Sequence, residues 1–288
     1  MSIRFNTYRY RIADLTFNIV ADDRFAPLGN SEFILKDDKS RDASSSDAYN
    51  VSSVIVSFPK DGFCTRADRN AVSFHQAGAD NRADIYGFDD VLAHSIRWKE
   101  GSRDICIMSG KAQALPFDGC AGEVLFRTMI LYHRGIVIHS AGIECDGSGI
   151  IFTAPSGTGK STQAHLWRLH RNARVLNGDR TALRFDGNTV YIYGTPWSGS
   201  SPDVLNARAP LRAIVVVEQA SENTLTQLTQ QEAAWRLIPR CYLPFGIPSL
   251  LNRAFDVLNG IINVVPVYLL KCKIGHETVD LVSNRINV

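Results

Sequence analysis

Ala154-Pro155-Ser156-Gly157-Thr158-Gly159-Lys160-Ser161-Thr162 is the stretch on which the fold turns. It has the spacing of a phosphate-binding loop, with Ala154 where a glycine usually opens the motif. Gly157 and Gly159 let the backbone bend so that successive N–H groups face a single anion. Lys160 offers an ammonium to the β- and γ-phosphates, and Ser161 offers a hydroxyl to Mg²⁺. A helix starting at the end of the loop aims its positive dipole end at the same charges. The flanks agree. Ile150-Ile-Phe-Thr153 is an apolar run of strand type, and Ala164, Leu166, Trp167 and Leu169 follow on a helical period. Pro155, Ser156, Gly157, Thr158, Gly159, Lys160, Ser161 and Thr162 are therefore the expected nucleotide contacts, with ATP and Mg²⁺ as the expected cofactors.

Phosphoryl transfer also needs a carboxylate for the metal and a group that positions the nucleophile. The short strand Arg174-Val-Leu-Asn177 delivers Gly178-Asp179-Arg180 at its end, where a second metal ligand belongs in an α/β sheet. Asp179 is read as that ligand rather than as a solvated turn residue. Arg180 either reaches a phosphate or pairs with Asp179. His139 ends the apolar strand Ile136-Val-Ile-His139, and on its own a histidine there reads as a satisfied core residue.

Further out, the chain divides in two. Residues 1–118 form a β-rich part, with strands expected at Phe5–Arg11, Asp14–Val20, Val51–Phe58, Ala83–Phe88 and Asp104–Met108 and a polar loop from Lys36 to Asn50. Residues 119–288 form the nucleotide-binding domain. Its opening helix, Gly122–Tyr132, ends at His133-Arg134-Gly135. Strands follow at Ile136–His139, Ala141–Cys145, Ile150–Thr153, Arg174–Asn177, Thr181–Phe185, Val190–Tyr193, Ala213–Glu218 and Val265–Lys273. Helices are expected at Gln230–Ile238, at Leu243–Ile262 with a proline interruption, and at His276–Arg285. The fold class is α/β of the mixed α+β kind.

The 288 residues carry 31 Lys+Arg against 29 Asp+Glu and are 45% hydrophobic, which excludes disorder, collagen and membrane spanning. A net charge of +2 supplies no general field for nucleic acid, and the densest basic stretch, Arg168–Arg174, lies in a helical pattern. The six cysteines, Cys64, Cys106, Cys120, Cys145, Cys241 and Cys272, form no C-x-x-C pair, so reduced thiols are expected rather than a zinc or dithiol site. The start, Met1-Ser-Ile-Arg-Phe5, lacks the pattern of a secretory signal, which makes the cytoplasm the expected compartment. The sequence is compatible with a homo-oligomer.

Several landmarks occur together: Val137-Ile-His-Ser-Ala141, Phe152-Thr-Ala-Pro-Ser-Gly-Thr-Gly-Lys-Ser161, Leu166-Trp167, Leu176-Asn-Gly-Asp-Arg180 and Tyr193-Gly-Thr-Pro-Trp-Ser-Gly199, then Val217-Glu-Gln219 and Val265-Pro-Val-Tyr-Leu-Leu-Lys-Cys272. In this order they resemble HPr kinase/phosphorylase and the shorter kinases akin to it, some of them encoded with ribosomally made peptides such as lasso peptides. The resemblance covers roughly residues 120 to 285. It implies a phosphoenolpyruvate-carboxykinase-like core of mixed β-sheet with flanking helices, and a phosphotransferase that moves the γ-phosphoryl group of ATP to a hydroxyl, above all serine, of a protein or peptide. It makes Lys160 the phosphate lysine, Ser161 and Asp179 the Mg²⁺ ligands, and His139 an active-site residue near the transferred phosphate. Two positions depart from the pattern. Gly178 stands where the family carries an acid that serves as general base and, in reverse, as proton donor, and Thr162 replaces another acid. A loose transition state tolerates the loss of a base in the forward direction, so the departure weighs against reverse phosphorolysis. The resemblance also makes Thr195–Ser201 a substrate-proximal segment, with Trp197 as a wall of the site or a core residue. The β-rich part either grips an extended peptide by strand addition or caps the catalytic domain. A kinase for a small metabolite, which needs a closed pocket, is the alternative, as is a nucleotide-binding sensor without transfer chemistry.

Overall fold

The computed structural model describes residues 4–25, 32–35, 48–55, 72–87, 91–110, 115–199, 201–273 and 275–288. The chain forms two compact units, Met1–Met129 with Pro244–Leu251, and Ile130–Leu243 with Asn252–Val288. The protein is α/β, built on two mixed sheets with few helices.

In the first unit, β1 (Phe5–Ile12) and β2 (Leu15–Asp22) form a hairpin around Ala13 and Asp14. Both turn residues have positive φ, the two-residue turn whose twist suits paired strands. With β3 (Tyr49–Ile55), β4 (Val72–Ala77), β5 (Asp80–Tyr86), β6 (Leu92–Lys99) and β7 (Asp104–Ser109) they make one sheet in the order β1-β2-β3-β7-β6-β5-β4. The pairs β2–β3 and β3–β7 are parallel and the others antiparallel. Alternation sends Leu15, Phe17, Ile19 and Ala21 to one buried face. There helix α1 (Cys120–Met129) packs on β5 and β6. Phe17 contacts Phe117 and Phe126 at ring separations of 5.3 and 6.3 Å, and Tyr10 lies 4.8 Å from Phe117. Each of these side chains contributes about 2–3 kcal/mol by leaving water. The Tyr10 hydroxyl donates to Asp118 Oδ1 at 2.7 Å, and burial first, then this carboxylate, pushes its pKa up.

Expectation and structure differ here in several places. The residues 36–47 of the expected polar loop, and positions 56–58 and 88 of two expected strands, lie outside the described residues; Tyr49 and Asn50 begin β3. β4 and β6 have no counterpart among the expected strands, because no residue of Val-Ser-Phe-His-Gln-Ala is buried and the alternation of β6 is interrupted by His94. Each sheet edge is covered in part. On β1, Tyr10 bridges Ile34, and Leu35 N–H donates to the Arg9 carbonyl at 2.8 Å. On β4, the chain at Gly246 comes so close that a Cβ there would lie 2.2 Å from the Phe74 carbonyl oxygen.

The second unit opens with the tight turn Ile130–His133, which closes the expected opening helix three residues after α1 ends at Met129. Then come β8 (Gly135–Cys145), β9 (Ser148–Thr153), α2 (Lys160–Arg171), β10 (Arg174–Asn177), β11 (Arg180–Asp186), β12 (Thr189–Tyr193), β13 (Arg208–Gln219), β14 (Thr224–Gln227), α3 (Gln230–Leu237), α4 (Pro248–Val264, of which the residues from Asn252 on belong to this unit), β15 (Val267–Cys272) and α5 (Glu277–Ile286). Proline 248 starts α4 rather than interrupting it, at the one helical position where a missing N–H costs nothing. The two strands expected around His139 are one continuous strand that changes partner. Gly135–His139 pair with β11, and Ser140–Cys145 pair with β9. β13 does the same, pairing with β12 at Arg208–Pro210 and running parallel to β9 and β15 beyond. The strands β8, β11, β12, β13 and β9 therefore close a circuit, with β10 beside β8, and β15 and β14 beyond β13. β8 and the stretch Ala213–Val217 of β13 are buried on both faces and read as near-continuous apolar runs, whereas β14 is largely exposed. Trp167 of α2 is fully buried, 6.1 Å from the Phe152 ring, and α5 adds Val279, Val282 and Ile286 to the same core.

Candidate functional site

The site grows from the point where β8 changes partner. At His139–Ser140 the ends of β9 and β11 diverge, and a sheet leaves room for ligands where strand ends part. Three hydrogen bonds fix that corner. Thr153 Oγ1 donates to the His139 carbonyl at 2.9 Å, Thr181 Oγ1 to the Ser140 carbonyl at 3.0 Å, and Ser140 N–H to the Asp179 carbonyl at 3.0 Å.

β9 ends at Thr153 and releases the loop. The Ala154 methyl sits in the hydrophobic core, which accounts for alanine where a glycine usually stands. Gly157 and Gly159 take φ of 77° and 114°, and a Cβ at either would meet nothing within 4 Å, so the left-handed backbone leaves open space. Gly159 caps α2 without any side-chain hydrogen bond, which leaves the first N–H groups of this 12-residue helix for an anion. Gln163 holds the start of α2 in place. Its carbonyl oxygen accepts from Thr278 Oγ1 at 3.2 Å, and its amide reaches Cys272 Sγ at 3.8 Å. Lys160 is 7% exposed and donates to the Ala154 carbonyl at 3.2 Å. Burial pushes its pKa down; Asp179 opposes that shift and the charge of Arg240 adds to it. Ser161 is exposed and Thr162 half-buried.

The second part is the turn after β10. Asn177 is fully buried and uses both ends of its amide. Its oxygen accepts from the N–H groups of Asp179 at 2.8 Å and Arg180 at 2.6 Å. Its nitrogen donates to the carbonyls of Thr195 and Trp197, each at 2.9 Å. One side chain thus locks the Asp179 turn to the segment 195–199. Asp179 Oδ1 lies 2.9 Å from His139 Nε2, and Oδ2 accepts from Arg180 Nη1 at 3.0 Å. The His139 hydrogen bond holds the Asp179 pKa down against burial, helped by the charges of His139, Arg180 and Lys160. His139, Lys160, Asp179 and Arg180 are thereby brought into one electrostatically connected group. Of the two readings of Arg180, the structure has the pair with Asp179. Trp197 is buried, its carbonyl taken by Asn177.

Gly178 has no room for an acid. A Cβ there would lie 2.5 Å from the Cβ and 2.7 Å from the Oγ of Ser201, and a Cβ at Gly199 would lie 2.5 Å from Asp179 Oδ2. Ser201 is itself held, donating to Asp203 Oδ2 at 2.7 Å, and the Asp203 carbonyl accepts from Gly178 N–H at 3.3 Å. Three contributors were not visible in the sequence: Asn177, Ser201 and Arg240. Asn177 sits among landmarks with nothing to mark its amide, and Ser201 acts by volume. Arg240 arrives through tertiary contact, since Cys241 bridges Ile138 on β8 and Tyr242 N–H donates to the Val137 carbonyl at 3.1 Å.

Among the described residues no group of three or more His, Cys, Asp or Glu could hold a metal ion. A single carboxylate, Asp179, with one hydroxyl, Ser161, fits Mg²⁺ nonetheless, because that ion keeps several waters and takes further oxygens from phosphates. No helix among the described residues is long and apolar enough to cross a membrane. The five cysteines among the described residues, Cys106, Cys120, Cys145, Cys241 and Cys272, are free.

No family model and no curated protein matches the chain. Among solved structures, the Hpr(Ser) kinase/phosphatase from Coxiella burnetii is similar over 52% of this chain and 95% of that chain, at 12% identity and a TM-score of 0.32. A likeness of that size carries no weight for fold or activity.

Proposed function

We propose that the protein is an ATP- and Mg²⁺-dependent kinase that transfers the γ-phosphoryl group to a hydroxyl, above all serine, of a protein or peptide. The observation that carries this is the loop after β9. Two left-handed glycines with open space, an uncapped helix start and a nearly buried lysine together make a preorganised anion cradle. Lys160 would hold the β- and γ-phosphates, and a phosphate would replace the Ala154 carbonyl as partner of its ammonium. Ser161 and Asp179 would hold Mg²⁺, which when bound neutralises charge on the phosphates. Asp179 would then exchange Arg180 for the ion at Oδ2, and the released guanidinium joins Lys160 and Arg240 as positive charge around the phosphates.

A base cannot stand at position 178, and in this reading His139 would substitute for it. With Nε2–H donated to Asp179 Oδ1, the Nδ1 lone pair is left to take the acceptor's proton. Late proton loss in a loose transition state makes this a modest contribution. A nucleotide sensor without transfer chemistry is the second reading, favoured by Ser201 filling the space over Gly178.

Incubation with Mg·ATP and candidate serine-containing peptides, followed by mass spectrometry, tests the proposal. The expected result is one phosphate added per acceptor, lost in Lys160→Ala and Asp179→Asn. Equal product from those variants would refute the site. ATP bound with no acceptor ever modified would favour the sensor.

A further inference from the structure

We propose that the polar face of the first unit's sheet is a binding site for a ligand that presents a carboxylate. This face is opposite the one that carries Phe17 and α1, and it holds a cavity of about 790 Å³ lined from five strands. That volume lies in the range of small-molecule pockets and exceeds what a lone ion needs.

The register explains the chemistry of its floor. Ser52, Cys106, Arg97, Arg82 and His75 are directly opposite one another on β3, β7, β6, β5 and β4, a single row across the sheet. At its centre two arginines face each other, an arrangement that repels unless an anion sits between them. Arg82 is partly neutralised from behind. Its Nε lies 3.0 Å from Asp84 Oδ2, a carboxylate that is 5% exposed, accepts from Ser95 Oγ at 2.7 Å and has His75 Nε2 at 3.5 Å. Asp84 lies on the same face of β5 as Arg82 and, nearly buried, orients Arg82 and His75. Arg97 is exposed, and among the described residues no carboxylate pairs with it.

Two guanidinium groups, one fixed and one unengaged, match the planar two-oxygen edge of a carboxylate, which arginine binds in forked geometry. The next row states what the rest of the ligand must be. Asp104 and Asp80 lie there with Lys99 between them, Asp80 only 4.0 Å from the Lys99 ammonium. Lys99 offsets one of the two acids, so the row keeps a net negative charge that disfavours a second anionic group and accepts an amide N–H or an ammonium beside Asp104. The favoured ligand thus carries a carboxylate at one end and hydrogen-bond donors at the other, the chemistry of an amino acid or of the C-terminus of a peptide.

The test uses the full chain, with glycylglycine, succinate and inorganic phosphate as calorimetric probes and phenylglyoxal labelling of Arg97 read by mass spectrometry. Saturable binding of glycylglycine that protects Arg97 is expected, weakened about tenfold in Arg97→Gln and only partly restored in Arg97→Lys, which keeps the charge and loses the fork. Arg97→Gln leaves the Arg82–Asp84 pair in place, so its near-ultraviolet circular dichroism should match the parent, and the comparison does not depend on refolding. Glycine serves as a further probe: glycine binding more tightly than glycylglycine assigns the site to free amino acids, and the reverse order assigns it to peptide C-termini; both support it. Phosphate or succinate binding more tightly than glycylglycine, no saturable binding at millimolar concentration, or equal binding by Arg97→Gln would overturn it.

Discussion

The two sheets treat polar groups in opposite ways. In the first unit they are spread over one face, in a row from Ser52 to His75, while the other face is mainly apolar and its buried polar side chains, Ser53, Asn81 and Ser109, are uncharged. In the second unit β8 is buried on both faces, and the buried polar side chains Ser140, Thr153, Lys160, Asn177, Thr181 and Thr195 are gathered into one knot where it changes partner. An exposed charge on a solvated face is replaceable. A buried amide with four partners is not, because its loss strands several backbone groups at once. Chemistry placed in a knot is therefore inseparable from stability, whereas binding placed on a face is nearly independent of it.

The sharpest way to break this contrast is to remove an anchor of the second unit. Trp167→Ala should cost about 3–5 kcal/mol of stability, measured by urea unfolding, since a fully buried ring leaves a cavity against Phe152. Asn177→Ala should cost about 2–4 kcal/mol and lower phosphoryl transfer with it, because the Asp179 turn and the segment 195–199 come apart together. Lys160→Ala inverts the pattern. Mg·ATP affinity by calorimetry should fall about a hundredfold or more, with the unfolding midpoint unchanged or slightly raised, because a desolvated ammonium is removed. In the first unit, Tyr10→Phe should cost about 1 kcal/mol for its hydrogen bond to Asp118, and Arg97→Ala less than about 0.5 kcal/mol. A costly Arg97→Ala would dissolve the contrast.

The smallest effect concerns pH. The Asp179 pKa is held below its usual value, chiefly by His139, so its contribution to stability is fully present above about pH 4 and is lost as pH falls through the lower folded value. Asp179→Asn should flatten that acid limb in a titration of the unfolding midpoint.

The sequence disclosed the knot better than the face. The loop at 154–162 and the strand Arg174–Asn177 were legible because their determinants are local: glycine spacing, a following helical period and a short apolar run. The strands of the second unit were legible too, except the exposed β14, though β8 was split at His139, since a polar residue inside an apolar run looks like an end until the partner change is known. What stayed hidden is long-range. Arg240 is recruited by the Cys241 bridge to β8, and Ser201 excludes an acid from position 178 by occupying its volume. The arginine row was hidden for another reason. Arg82 and Arg97 become neighbours only through strand register, and β6 was not recognised as a strand.

The closed circuit of strands also sets a clock. β9 gains its first neighbour, β8, at once, through the Asp146-Gly147 turn, but its other edge stays bare until the ribosome has added everything through Val216 of β13. Every residue of the loop 154–162 is thus made well before the strand that carries it is enclosed. Long-range pairing of this kind is slow, and a waiting apolar edge attracts other chains. A nascent chain released before Leu211 should contain the whole loop, bind no nucleotide and aggregate, so the last strand of the circuit, not the loop itself, marks the moment at which the site comes into being.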